Sequence, residues 1–372
     1  MRAAAVGAGS LLAAVAVLLP AAAQGALART PFTASLNLVQ TLASTVPKNG
    51  DVNPYGIAVV PASKGDLTAG DVLVSNFNAK SNRQGTGTTI VEISPGGKVK
   101  LFARLAPASP AGACPGGVGL TTALVALRSG YVVAGSLPSA NGHSATMHAG
   151  CLLILDSVGH LVTTIAGSPI NGPWDMTALD RGSSALLFVT NVLNGTVASS
   201  PNTVDQGTVV RLDLSTPAGG TPSVESETII GTGFPERTDP GALVVGPTGV
   251  AIGSQGTLYV ANSAANRITA ISGAVARTSP SRGTTLASGG WIDDPLGLAI
   301  APGGDILTTN GADGNLVETT PAGNQVAVKM LDTIPVPPGP NGNGTLFGLI
   351  LAPRGTGVYF VDDGGNDLNL LH

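Results

Sequence analysis

The sequence predicts an all-β protein: a six-bladed β-propeller of four-stranded antiparallel blades, closed by an N-terminal strand that completes the last blade. Three observations carry this. First, Gly246 to Asn262 reads as two short β-prone runs, Val250 to Ile252 and Leu258 to Val260, around the turn Gly253-Ser254-Gln255-Gly256. Second, that unit recurs six times, with landmarks at Gly56, Gly117, Asp175, Gly249, Gly297 and Gly348, spaced by roughly 48 to 74 residues. Third, the last unit runs out of chain after three strands, while an unpaired strand-like stretch, Phe32 to Leu42, precedes the first unit.

Taken in order, each unit opens on a Pro-x-Gly or degenerate copy, as in Pro54-Tyr55-Gly56, Pro115-Gly116-Gly117 and Pro173-Trp174-Asp175. A second strand follows and ends polar, at Asn76, Ser136, Asn191, Asn262, Asn310 and Asp362. Third strands are expected at Thr89 to Ile93, Cys151 to Leu155, Thr208 to Leu212, Arg267 to Ile271, Leu316 to Thr319 and Leu368 to Leu371. Fourth strands include Val99 to Phe102, Leu161 to Ile165 and Gln325 to Lys329. Pairing of Phe32 to Leu42 with Leu368 to Leu371 would close the ring and leave no long exposed edge. A β-sandwich or an open repeat array is the alternative. In the innermost strands, small residues such as Gly56, Ala58, Ala251 and Ala299 are expected to line a channel. The alternating Ile57, Val59, Val250, Ile252, Leu298 and Ile300 are expected to fill the interfaces between blades.

Composition bounds the function. Of 372 residues, 43% are hydrophobic, 11% charged and 3% aromatic, with 52 Gly and 27 Pro, which suits a turn-rich fold with an aliphatic core. A net charge of −4 without any Lys/Arg cluster argues against a nucleic-acid partner. Met1-Arg2, the apolar run Ala3 to Leu19, Pro20 and small residues through Ala28 have the layout of a secretory signal peptide, with cleavage after Ala23 or Ala28. An N-terminal membrane anchor is the alternative. The mature domain is then 29–372, secreted or periplasmic and monomeric, with no later membrane span. In an oxidising compartment Cys114 and Cys151 are expected to be joined, for about 3 to 4 kcal/mol of stabilisation; otherwise they are two small buried hydrophobes.

Pro247 to Ile252 with Gly256 to Ile268 resembles the NHL-type propeller repeat, and Pro295 to Asn315 and Phe347 to Asp367 are weaker copies. The resemblance covers the C-terminal third well and the remainder by pattern, and it implies fold rather than activity. Enzymes on related propellers generally hold a divalent metal near the channel mouth through carboxylate and amide oxygens or histidines. Here the opening strand of the first unit carries Pro54-Tyr55-Gly56 in place of the lactonase-like Glu. Of four histidines, His143 and His148 share one loop.

Long Gly/Ser/Asn/Thr-rich loops follow Asn76, Ser136 and Asn191 on one face, where function usually gathers. That face collects the candidate ligand-binding residues Tyr55, Asn76, Trp174, Asp175, Asn191, Asn262, Asp293, Asn310 and Asp362. Trp174 is either a stacking platform or an interface plug; each Asn or Asp is either a ligand or a turn residue bonding its own backbone. The leading expectation is a binding module for a protein, peptide or carbohydrate, without a cofactor. The alternative is a metal-dependent hydrolase or lyase at the loop-rich mouth, with Asp175, Asp293 and Asp362 as oxygen ligands suited to Ca2+ or Mg2+.

Overall fold

The computed structural model describes residues 30–105, 114–334 and 342–372, together with residues 1, 3 and 4. The expected signal peptide therefore lies almost entirely outside the described residues. From Pro31 onward the described residues form six antiparallel sheets and only one α-helical turn, Thr196–Ser199. Five of the sheets run from an innermost to an outermost strand in chain order, and the sixth takes its outermost strand from the N-terminal side of the chain. The innermost strands are Val52–Val59, Leu120–Ala126, Pro173–Asp180, Pro247–Ile252, Pro295–Ile300 and Leu346–Leu351, and each neighbours the next around a closed ring.

Closure occurs as the repeat count demands. Val39–Ser44 pairs antiparallel with Asp367–Leu371 and supplies the outermost strand of blade six. The expected strand over Phe32 to Leu42 is corrected in its first half, where Phe32–Ser35 is a 3-10 turn. The cause is a carboxylate: Glu318 of blade five accepts Phe32 N at 2.7 Å, Thr33 N at 2.9 Å and Thr33 Oγ1 at 2.8 Å. Three charge-assisted bonds to a buried acceptor outweigh the continuation of an edge strand.

Five third strands begin and end within a residue of the expected positions, because alternating β-branched runs bounded by turns leave little choice of register. Blade two departs from the pattern. Its first strand starts at Leu120, not at the Pro115-Gly116-Gly117 landmark, and two extra residues bulge between the Leu120 and Leu124 pairs. Blade three also differs: its outer strand runs over 17 residues, Ser223–Asp239, and turns back into the short Leu243–Val245. Cys114 and Cys151 form a disulfide with Cα atoms 5.3 Å apart, tying the segment before blade two to its third strand.

The expected division of the inner strands into channel-facing and interface-facing residues is also corrected. Ile57 packs with the core between blades six and one, whereas Ala58 packs with the core between one and two. Val250 and Ala251, and Leu298 and Ala299, divide in the same sense. An innermost strand runs along the axis with its two faces turned to two neighbouring blades. In blades one, four and five the large residues therefore meet the preceding blade and the small ones the following blade, whereas in blades two, three and six Val125, Leu179 and Ile350 meet the following blade. The edges of both sets border the channel.

Candidate active site in the central channel

The small side of each inner strand is where the ring is tightest. A Cβ on Gly249 would lie 1.9 Å from Leu296 O, one on Gly297 2.3 Å from Phe347 O, and one on Gly348 2.4 Å from Tyr55 O. These glycines are required because the carbonyl of the next blade occupies the space. Hydroxyls tie the same layer together. Ser75, Thr190 and Thr309 each accept the N–H of Gly56, Asp175 or Gly297 and donate to a carbonyl of the following blade. Blade three breaks the pattern by placing Asp175 where four other blades have glycine.

Asp175 sits at the inner end of a channel cavity of about 370 Å³ to which all six inner strands contribute. Its Oδ2 accepts Val250 N of blade four at 3.2 Å. The carboxyl is enclosed by the disc yet partly accessible, because it faces the channel. Burial pushes it from 3.8 up to about 7, against the opposing pull of the Met176 and Val250 N–H groups. The remaining polar side chains of the wall are Thr122, Thr177 and Asp180, and the rest of the lining is aliphatic apart from Met176.

Above Asp175, towards the loop face, the channel is closed. Tyr55 stacks on Phe77 (centroids 4.4 Å apart) and on Phe347 (3.9 Å), and Trp174 meets Tyr55 and Phe77 edge-on. Leu137, Leu243 and Val244 complete the apolar cluster. Burial drives the Tyr55 hydroxyl well above its ordinary range, followed by the charge of Asp363. Trp174 thus plugs the mouth rather than offering a platform. A small chamber of about 30 Å³ lies between plug and channel, lined by Trp174, Asp175, Thr248 and Val244 among others.

The long loops form the outer cover of this plug. Ser139 Oγ donates to Gln84 O at 2.6 Å, Gln84 Nε2 donates to Gly241 O, and Ser144 Oγ donates to Leu243 O at 2.7 Å. Asn194 N donates to Glu236 Oε1 at 2.8 Å, which fastens the third loop to the long outer strand of blade three. Glu236 is fully buried and its Oε2 has no hydrogen-bond partner, and burial raises its carboxyl to about 8.

The remaining expected site residues do not converge on the channel. Asn76 Nδ2 donates to Thr45 O, Asn262 Nδ2 to Pro235 O and Asn310 Nδ2 to Trp291 O, while Asn191 Oδ1 accepts Asn171 N and Gly172 N. Asn76, Asn191 and Asn310 bind the end of a second strand to the segment leading into their own blade, and Asn262 binds it to the outer strand of blade three. Asp293 is exposed. Asp362 accepts Gly365 N, and burial, then Asp332, raises its carboxyl to about 6.

Among the described residues no group of three or more His, Cys, Asp or Glu side chains is placed to hold a metal ion. The segments 106–113 and 335–341, outside the described residues, contain none of these residue types in sequence. With tyrosine, tryptophan and phenylalanine at the axial positions of the loop face, the donor set does not fit a divalent metal there.

Solved structures similar to this chain share the fold. They include a gluconolactonase from Xanthomonas campestris (TM-score 0.53, 14% identity, 89% of this chain and 88% of that one). A calcium-binding protein, regucalcin, from Agrobacterium tumefaciens gives 0.54 at 12% identity over 89% and 93%. A luciferin-regenerating enzyme gives 0.55 at 10% identity over 90% and 94%. No family model and no curated protein matches the chain. The expectation of a non-catalytic binding module is corrected by these comparisons, since similar structures bear the names of enzymes.

Proposed function

We propose that this propeller is a hydrolase or lyase of lactonase-like type whose reacting group is Asp175, working inside the channel rather than at the loop-rich mouth. The observation that supports it most is a carboxyl held near neutrality, at a position where four of the other five blades carry glycine, at the end of a cavity of ligand size. Strained or costly departures from a repeat pattern are where function concentrates, and an acid–base catalyst is most effective with its pKa near the working pH.

For an ester or lactone, ionised Asp175 takes a proton from water as the water oxygen adds to the carbonyl carbon. The acyl C–O bond then breaks, and the proton returns from Asp175 to the departing alkoxide oxygen. The products are one carboxylic acid and one alcohol, which for a lactone are the two ends of a single hydroxy acid. The Val250 N–H fixes one carboxyl oxygen through this cycle. No step is assigned to a metal, since the donor set does not suit one. The disulfide supports an oxidising, extracytoplasmic location.

The test is turnover of an ester and lactone panel by wild type and Asp175→Asn. A fall in kcat of about 10²-fold or more with KM little changed is expected, the usual range for losing a general acid–base. No turnover across the panel, or a fully active Asp175→Asn, would overturn the proposal.

A further inference from the structure

We infer that the channel binds a small, neutral, aliphatic molecule, and that this molecule enters through the hairpin face, opposite the face on which the long loops gather. The inference deepens the hydrolase reading by naming the ligand class and the route, and its binding test does not depend on turnover.

The route follows from the two ends of the channel. At the loop face Tyr55 stacks on Phe347 and meets Trp174 edge-on, and Leu243 and Val244 lie in the same apolar cluster. The loops above are tied to one another and to this cover by hydrogen bonds, so an incoming molecule would have to break a packed aromatic cluster and several polar contacts. At the hairpin face the rim is formed by the ends of the inner strands. Val59, Ala126, Ile252, Ile300 and Leu351 are all partly exposed there and all border the cavity. Asp180, a charged lining residue at this rim, is engaged by Arg128, whose Nε lies 3.4 Å from Asp180 Oδ2 and whose backbone N–H donates to the same oxygen at 2.6 Å.

The ligand class follows from the wall. Among the described residues no Lys, Arg or His lines the cavity, so an anion finds no countercharge there and would meet Asp175 and Asp180 instead. A polyol finds only two threonine hydroxyls and these two carboxyls for its many donors and acceptors, and hydroxyls buried without partners are disfavoured. An aliphatic chain meets Ile, Val, Leu and Ala side chains from all six blades, with a single polar end placed against Asp175. A volume of about 370 Å³ lies in the range of small-molecule pockets.

Calorimetric titration with 1-octanol, octanoate and glucose tests this on the intact protein. Octanol is expected to bind saturably and at least tenfold more tightly than octanoate or glucose. Bulk added at the rim, in Pro61→Trp and separately in Ile300→Trp, should weaken octanol at least tenfold. The same bulk added at exposed His143 on the loop face should leave it unchanged. Pro61 is exposed, so that variant remains informative if Ile300→Trp fails to fold. No saturable octanol binding, preference for octanoate or glucose, or weakening by His143→Trp but not by the rim variants would each overturn the inference. Octanol binding without turnover of any ester or lactone would leave this site standing and remove the hydrolase reading. Turnover without octanol binding would do the reverse.

Discussion

Replacing Asp175 by Asn should stabilise the protein at alkaline pH, and the size of the effect can be worked from the site. Burial raises the carboxyl from 3.8 to about 7. At about 1.36 kcal/mol per unit, a rise of roughly 3 units corresponds to ~4 kcal/mol, and solvent in the channel reduces this to roughly 2–4 kcal/mol. The sign follows from proton counting. Between pH 4 and 7 the folded protein binds more protons at this site than the unfolded chain does, so stability falls as pH rises, and the loss is complete above 7. Asparagine keeps the oxygen that accepts Val250 N and carries no charge. Urea unfolding of wild type and Asp175→Asn at pH 4, 5.5 and 8.5 checks this. The two should agree within about 1 kcal/mol at pH 4, with the variant ahead by roughly 2–4 kcal/mol at pH 8.5. A variant that is weaker by the same amount at every pH would show Asp175 to be an ordinary ionised structural carboxylate. Such a gain in stability with a loss of turnover is the trade expected of an active-site charge.

Three further outcomes follow from the same structure. Glu236→Gln should remove a second, similar decline in stability, from pH 4.5 up to about 8, and should slow amide exchange in residues 192–207 above pH 8, because the ionised carboxylate has no partner for Oε2. Gly249→Ala should destabilise by on the order of 3 kcal/mol in denaturant unfolding, since its Cβ would lie 1.9 Å from a backbone oxygen that cannot move without shifting blade five. Paired Cys114→Ser and Cys151→Ser substitutions should cost about 4 kcal/mol by the chain-entropy estimate for residues separated by 37 positions, read as a lower urea midpoint.

Much of the architecture was legible because it rests on local, repeated signals. Arg267–Ile271 and Cys151–Leu155 were readable to the residue, since short apolar or β-branched runs flanked by turn residues admit one register. The closing strand was readable from a strand deficit in the last unit. Blade two was misplaced because its Pro115-Gly116-Gly117 imitates the repeat landmark, while the true opening, Leu120 to Ala126, has neither proline nor glycine. The plug was hidden for a different reason. Tyr55, Phe77, Trp174, Leu243 and Phe347 are scattered across three hundred residues, and only the closed ring brings them together. The buried asparagines were ambiguous in sequence, and they cap strand ends in the structure. Asp175 was visible as the one carboxylate replacing a repeat glycine, but its aliphatic surroundings depend on five other blades.

The pH dependence of kcat/KM for hydrolysis of an aliphatic lactone such as δ-decanolactone, on protein dialysed against a metal chelator, bears most directly on chemistry by Asp175. Activity should survive chelation and rise with pH to a plateau, with an inflection near 7 that is absent from whatever rate remains in Asp175→Asn. Loss of activity on chelation, or a wild-type profile without a break near 7, would contradict a channel carboxyl as the reacting group.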